Sequence, residues 1–129
     1  MTDKFKQVQF EQDTWKRLLG FMMDENIYLK NRIAEILKDN PDRSLLDDVE
    51  NFQSRFIVED EMISILRNDI AHIEKLYAEG ETSNGKLIAE INNRLQRLRE
   101  DIALAEFQFN KLKIEFNTYL TQISTISNS

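Results

Sequence analysis

Few residues in this chain have the side chains for chemistry. His72 is the only histidine and there is no cysteine. Asp69-Ile70-Ala71-His72 has the carboxylate-x-x-His spacing that sets two ligands on one helix face in di-iron bundles. Those sites need two such motifs and further inward glutamates. Here the single histidine falls off the apolar seam described below, so a solvated histidine is expected. A serine nucleophile needs a base and an orienting group. With one histidine, no thiol and no glycine-rich turn, no triad, phosphate loop or dinucleotide fingerprint can be assembled. The expectation is a protein that is not an enzyme, with no catalytic residues, no cofactor and no metal ligands.

Charge narrows the partners. The formal net charge is −6, a poor match to nucleic acid or an anionic membrane surface. Arg94, Arg97 and Arg99 cluster, but Glu90, Glu100 and Asp101 are interleaved with them. That pattern reads as a salt-bridged, solvated helix face. The first residues have no apolar run behind them, and no window approaches the ~18 apolar residues of a membrane span. A cytoplasmic location is expected, with neither nucleic acid nor membrane as partner.

The elements that would position any site are long helices. Three glycines and one proline leave few interior breaks. From Gly85 to Ile126, Ile88, Leu95, Ile102, Phe109, Phe116 and Ile123 share one heptad position, a. Ile91, Leu98, Ala105, Leu112, Tyr119 and Ile126 follow at d. Such a seam buries a stripe against partner helices. An earlier stretch repeats the pattern, with Phe5, Gln12, Leu19, Asn26 and Ile33 at a and Val8, Trp15, Met22, Leu29 and Ile36 at d. Between them, Val49, Phe56, Ile63, Ile70 and Tyr77 take a, while Leu45, Phe52, Glu59, Leu66 and Ile73 take d.

Asn40-Pro41 stops the first helix, and Ser44-Leu45-Leu46-Asp47 resembles a capping box for the second. Gly80 is a natural stop, and Thr82-Ser83-Asn84 supplies the next cap. The tail after Ile126 is expected to fray. The prediction is an all-α, elongated antiparallel three-helix coiled-coil bundle, with helices over 3–38, 44–78 and 84–126 in a single domain, 1–129.

The seam has exceptions that coincide. With hairpins centred on the loops, residue numbers of facing positions sum to roughly 83 to 85 across the first pair of helices and 162 to 164 across the second. Asn26 then meets Glu59, and Ala105, the one small residue of its seam, lies opposite. This predicts a buried polar layer of Asn26, Glu59 and Ala105, with an Asn–Glu hydrogen bond that fixes register. The alternatives are a small-ligand or metal site built on Asn26 and Glu59, or a Glu59 that snorkels out of the bundle and is not buried. Gln12, the other polar a residue, is expected beside Ile70 or Ile73 and near Ile91.

Large apolar residues also stand off the seam. Phe10, Phe21, Ile27 and Tyr28 do so in the first helix, Ile57, Val58 and Ile65 in the second, and Leu104, Phe107 and Ile114 in the third. A solvated exterior should be charged at these positions. Phe21, Tyr28, Ile57, Val58, Ile65, Leu104 and Phe107 are therefore the candidate interface. They predict a homo-oligomer, a dimer being favoured, or docking of a helical protein partner. The competing expectation is a wider core that absorbs several of them.

Trp15 through Asn40, with Leu19, Phe21, Asp24-Glu25, Leu29, Arg32 and Glu35-Ile36, resembles a family of short uncharacterised helical proteins from Bacteroidetes-type bacteria. The run Val49-Glu50-Asn51-Phe52-Gln53-Ser54-Arg55-Phe56-Ile57 is similar to a segment of the same family. The resemblance covers about the first half of the chain. It implies a bacterial cytoplasmic helical protein and carries no activity with it. The architecture is also similar to a spectrin repeat, including a tryptophan in the first helix, but the second tryptophan expected in the third helix is missing.

Overall fold

A computed structural model describes residues 2–39, 42–79 and 85–128, with side chains placed over 6–39, 42–78 and 85–123. The Asn40-Pro41 and Gly80 stops, the Thr82-Ser83-Asn84 cap and the seam side chains of Phe5 and Ile126 lie outside the described residues. Three helices run in order: α1 (Thr2–Asp39), α2 (Arg43–Glu79) and α3 (Gly85–Asn128). The fold is all-α, a three-helix bundle. At 44 residues, α3 is about 66 Å long. It continues to Asn128, two residues past the end expected from the seam.

Every buried side chain falls on an a or d position, from Val8 to Phe116. The a and d stripe thus forms the centre of the core, with Leu18, Met23, Leu37, Leu76, Leu87 and Leu120 at e and g half-buried against it, and the polar a and d residues Gln12, Asn26 and Glu59 are buried in it. Asp42 caps α2, because its Oδ1 accepts a hydrogen bond from the Ser44 amide at 3.0 Å and its carbonyl accepts one from the Leu46 amide at 3.0 Å. The cap therefore sits two residues before the expected Ser44. An aspartate there satisfies an orphan amide and also sets negative charge against the helix N-terminus.

Cross-helix pairs fix the registers. Between α1 and α2, Asn26–Phe56, Asn26–Asp60, Lys16–Glu74 and Lys30–Asp60 have residue numbers summing to 82–90. Between α2 and α3, Phe52–Phe116, Phe52–Tyr119, Phe56–Phe116 and Arg55–Glu115 sum to 168–172. Both helix pairs are therefore antiparallel, and α1 and α3 are parallel. Glu11–Arg99 and Glu25–Lys113 tie that parallel pair with a constant offset of 88.

The α2–α3 register exceeds the expected 162 to 164 by about two turns. The longer α3 starts beyond the end of α2, and an aromatic cluster of Phe52, Phe56, Phe116 and Tyr119 sets the alignment, with ring centroids 5.2–5.5 Å apart. One consequence shows at Ile88. It is a seam residue by sequence, yet it is 39 % exposed because α2 ends below its level.

The buried polar layer and the outward apolar surface

Asn26 is buried with no exposed area. Its Nδ2 donates to the Phe56 carbonyl at 3.0 Å and to Asp60 Oδ1. The other Asp60 oxygen pairs with Lys30 Nζ. The expected Asn26–Glu59 bond is thus replaced by one to Asp60. The e position of α2 flanks the α1–α2 groove, whereas the d position turns toward α3. Sequence patterning marks Glu59 because it breaks the apolar rule. It overlooks Asp60 because a charge at e is ordinary.

Glu59 is 8 % exposed and faces a groove of about 350 Å³ lined by Arg55, Val58, Gln108, Lys111 and Leu112. Burial pushes its carboxyl above the usual carboxylate range, and the Arg55 guanidinium opposes that shift. Arg55 itself pairs with Glu115. Glu59 Oε2, Asn26 Oδ1 and Gln12 Nε2 are buried without a hydrogen-bond partner.

Ala105 is buried, but the α2–α3 register places it opposite Leu66, with Glu59 opposite Lys111 and Leu112. The three exceptions expected in one layer therefore occupy two. Gln12 shares a groove with Glu74, Tyr77 and Ala78, and the α1–α3 offset of 88 sets it level with Glu100 rather than with the expected Ile91.

His72 is exposed. Among the described residues no three His, Cys, Asp or Glu side chains are grouped to hold a metal ion. Arg94 pairs with Glu90 at 3.0 Å, and Arg99 makes two bonds to the Glu11 carboxylate at 2.8 and 2.9 Å. Among the described residues no helix is long and apolar enough to cross a membrane.

The outward apolar residues singled out in the sequence are not absorbed by a widened core. Phe10, Phe21, Ile27, Tyr28, Ile57, Val58, Ile65, Leu104, Phe107 and Ile114 all remain exposed in the folded chain, and Met62 joins them. Their heptad positions sort them into faces. Val58, Met62 and Ile65 lie on the c/g flank of α2, the same flank as Arg55 in the α2–α3 groove. Leu104 and Phe107 lie on the c/f face of α3. Phe21 and Tyr28 lie at c on α1, on the side where Glu11 and Glu25 reach α3. Six of the seven candidate interface residues thus surround the outer ridge of α3. Ile57 is set apart, because its b position turns it toward the α1–α2 side with Ile27. Sequence patterning overlooks Met62, although it continues the i, i+4, i+7 spacing of Val58 and Ile65.

Comparison of the chain with protein-family models, curated proteins and solved structures finds no match.

Proposed function

We propose that this chain is a non-enzymatic helical interaction module that associates with itself through the apolar surface centred on the outer ridge of α3. The observation that carries this reading is the exposure of Phe107 (66 %), Phe21 (60 %) and Tyr28 (67 %) outside a core built on the a and d positions and flanked by half-buried e and g residues. Each large apolar group left in water forgoes on the order of 1.5–3 kcal/mol relative to full burial. A two-fold dimer is the commonest way to recover it. The bacterial, cytoplasmic setting implied by the family resemblance belongs to the same reading. Replacing Phe107 and Val58 together with glutamate is expected to give a smaller species in light scattering while helicity by circular dichroism stays at the parent level. Loss of helicity would instead assign those residues to the intrachain core.

A second reading has one observation in its favour. Asn26 Oδ1 and Glu59 Oε2 are buried acceptors without partners, and a small ligand or metal ion bound in the bundle would satisfy them. Elemental analysis of purified protein tests it. Stoichiometric metal in a monomer supports this second reading, and a metal-free oligomer supports the first.

A further inference from the structure

We infer that two copies of this chain pair through α3 running antiparallel to α3, with the two-fold axis between Leu104 and Phe107; this rests on the self-association proposed above. The outward c and f positions of α3 read Arg97, Glu100, Leu104, Phe107, Lys111 and Ile114. An antiparallel partner centred between Leu104 and Phe107 sets each of these two against the other in the second copy. The same operation sets Glu100 against Lys111 of the second copy, twice per dimer. A parallel pairing would set Glu100 against Glu100 and Lys111 against Lys111, which is repulsive. Neither Glu100 nor Lys111 has an ion-pair partner within the chain among the described residues.

The flanking helices support the same centre. The α2–α3 register brings Ile65 level with Leu104 and Ala105, so the axis carries Ile65 onto Ile65 of the second copy. The α1–α3 offset of 88 brings Phe21 within a turn or so of the axis on the other flank. Exposed rings of 60–67 % each offer on the order of 120 Å². With the aliphatic neighbours the patch reaches about 600 Å² per copy, close to the ~800 Å² per partner of a standard interface. An occupant with the same shape, the same apolar stripe and a charge complementary to Glu100 and Lys111 on either side of it is a second copy, with Arg97 set against Ile114 at the rim.

The test combines charge reversal with distance measurement. Glu100→Lys alone and Lys111→Glu alone should each raise the dimer dissociation constant roughly tenfold, since each creates two like-charge contacts. The double variant should return it to near the parent value, with helicity checked throughout. The chain has no cysteine, so Ala89→Cys and Gln122→Cys can each carry a single spin label at an exposed site. The proposed axis predicts about 50 Å between labels at either position, from roughly 33 residues of helix rise. Short distances at both positions would mean a parallel pair, and unequal long distances a different centre. Either result, or a double variant as weak as the singles, overturns this geometry while leaving a dimer. A parent chain that is monomeric overturns the self-association reading itself, and the geometry with it.

Discussion

Asn26 of α1 donates its side-chain amide to the carboxylate of Asp60 on α2, one residue past the glutamate that the heptad seam singles out. The same carboxylate pairs with Lys30, so a buried amide, a half-buried acid and a lysine form one network across the α1–α2 interface. Residues that share such a network show coupling energies of about 0.5–3 kcal/mol. A double-mutant cycle of Asn26→Leu and Asp60→Leu by equilibrium denaturation should return a value in that range. The cycle of Asn26→Leu with Glu59→Leu should return a clearly smaller one. Equal coupling in the two cycles would restore Glu59 as the partner.

Glu59 behaves as a buried acid without a hydrogen-bond partner at Oε2. A bond to Asn26 would make Glu59→Leu destabilising; the observed geometry reverses the sign. The substitution is expected to raise stability at pH 7 by roughly 1–2 kcal/mol, because it removes a desolvated charged group. Its carboxyl is held above the ordinary value of 4.5, so the folded state binds the proton more tightly than the unfolded chain. The contribution is therefore favourable below about pH 4.5 and is lost as pH rises through the raised folded value. The stability gap between the parent and Glu59→Gln should close on acidification. A gap that widened toward acid would contradict the assignment.

Much of the fold is legible in the sequence, since every buried residue among those described falls on an a or d position and the observed helix bounds lie within two residues of those expected. What patterning misses is relative placement. A seam specifies which face is buried but not how far one helix slides along another, and centring the second hairpin on its loop moved Ala105 into the layer of Glu59. The slide is decided by Phe52 and Phe56 closing on Phe116, a three-dimensional fit between bulky rings. The candidate surface was legible for a related reason. Phe107 and Val58 break the expected charge of an exterior as plainly as Glu59 breaks the apolar seam. Ile57 shares their off-seam character, but its b position turns it toward the α1–α2 side, which off-seam character alone does not reveal.

The α2–α3 register can be measured through Phe52 and Phe116, whose rings sit 5.2 Å apart and tilted by 59°. Aromatic pairs in this geometry contribute about 0.5–1.5 kcal/mol beyond burial. A cycle of Phe52→Leu and Phe116→Leu should show coupling of that size. The loop-centred register would instead set Phe52 beside residues 110–112 and give additive energies.

Gly20 lies inside α1, where an added Cβ would meet nothing within 4 Å. Glycine in a helix interior costs roughly 0.5–1 kcal/mol relative to alanine. Gly20→Ala should therefore stabilise the chain by about that amount in thermal or denaturant unfolding. A loss of stability would reveal a close neighbour that the single folded chain does not contain.

The central claim is that the apolar surface around α3 is covered by a second copy. Sedimentation equilibrium of the unmodified protein across a micromolar concentration series tests it most directly. The account predicts a mass approaching twice the 15.3 kDa of one chain as concentration rises, with a two-fold model fitting the whole series. A mass that stays at 15.3 kDa up to high micromolar concentration would contradict it.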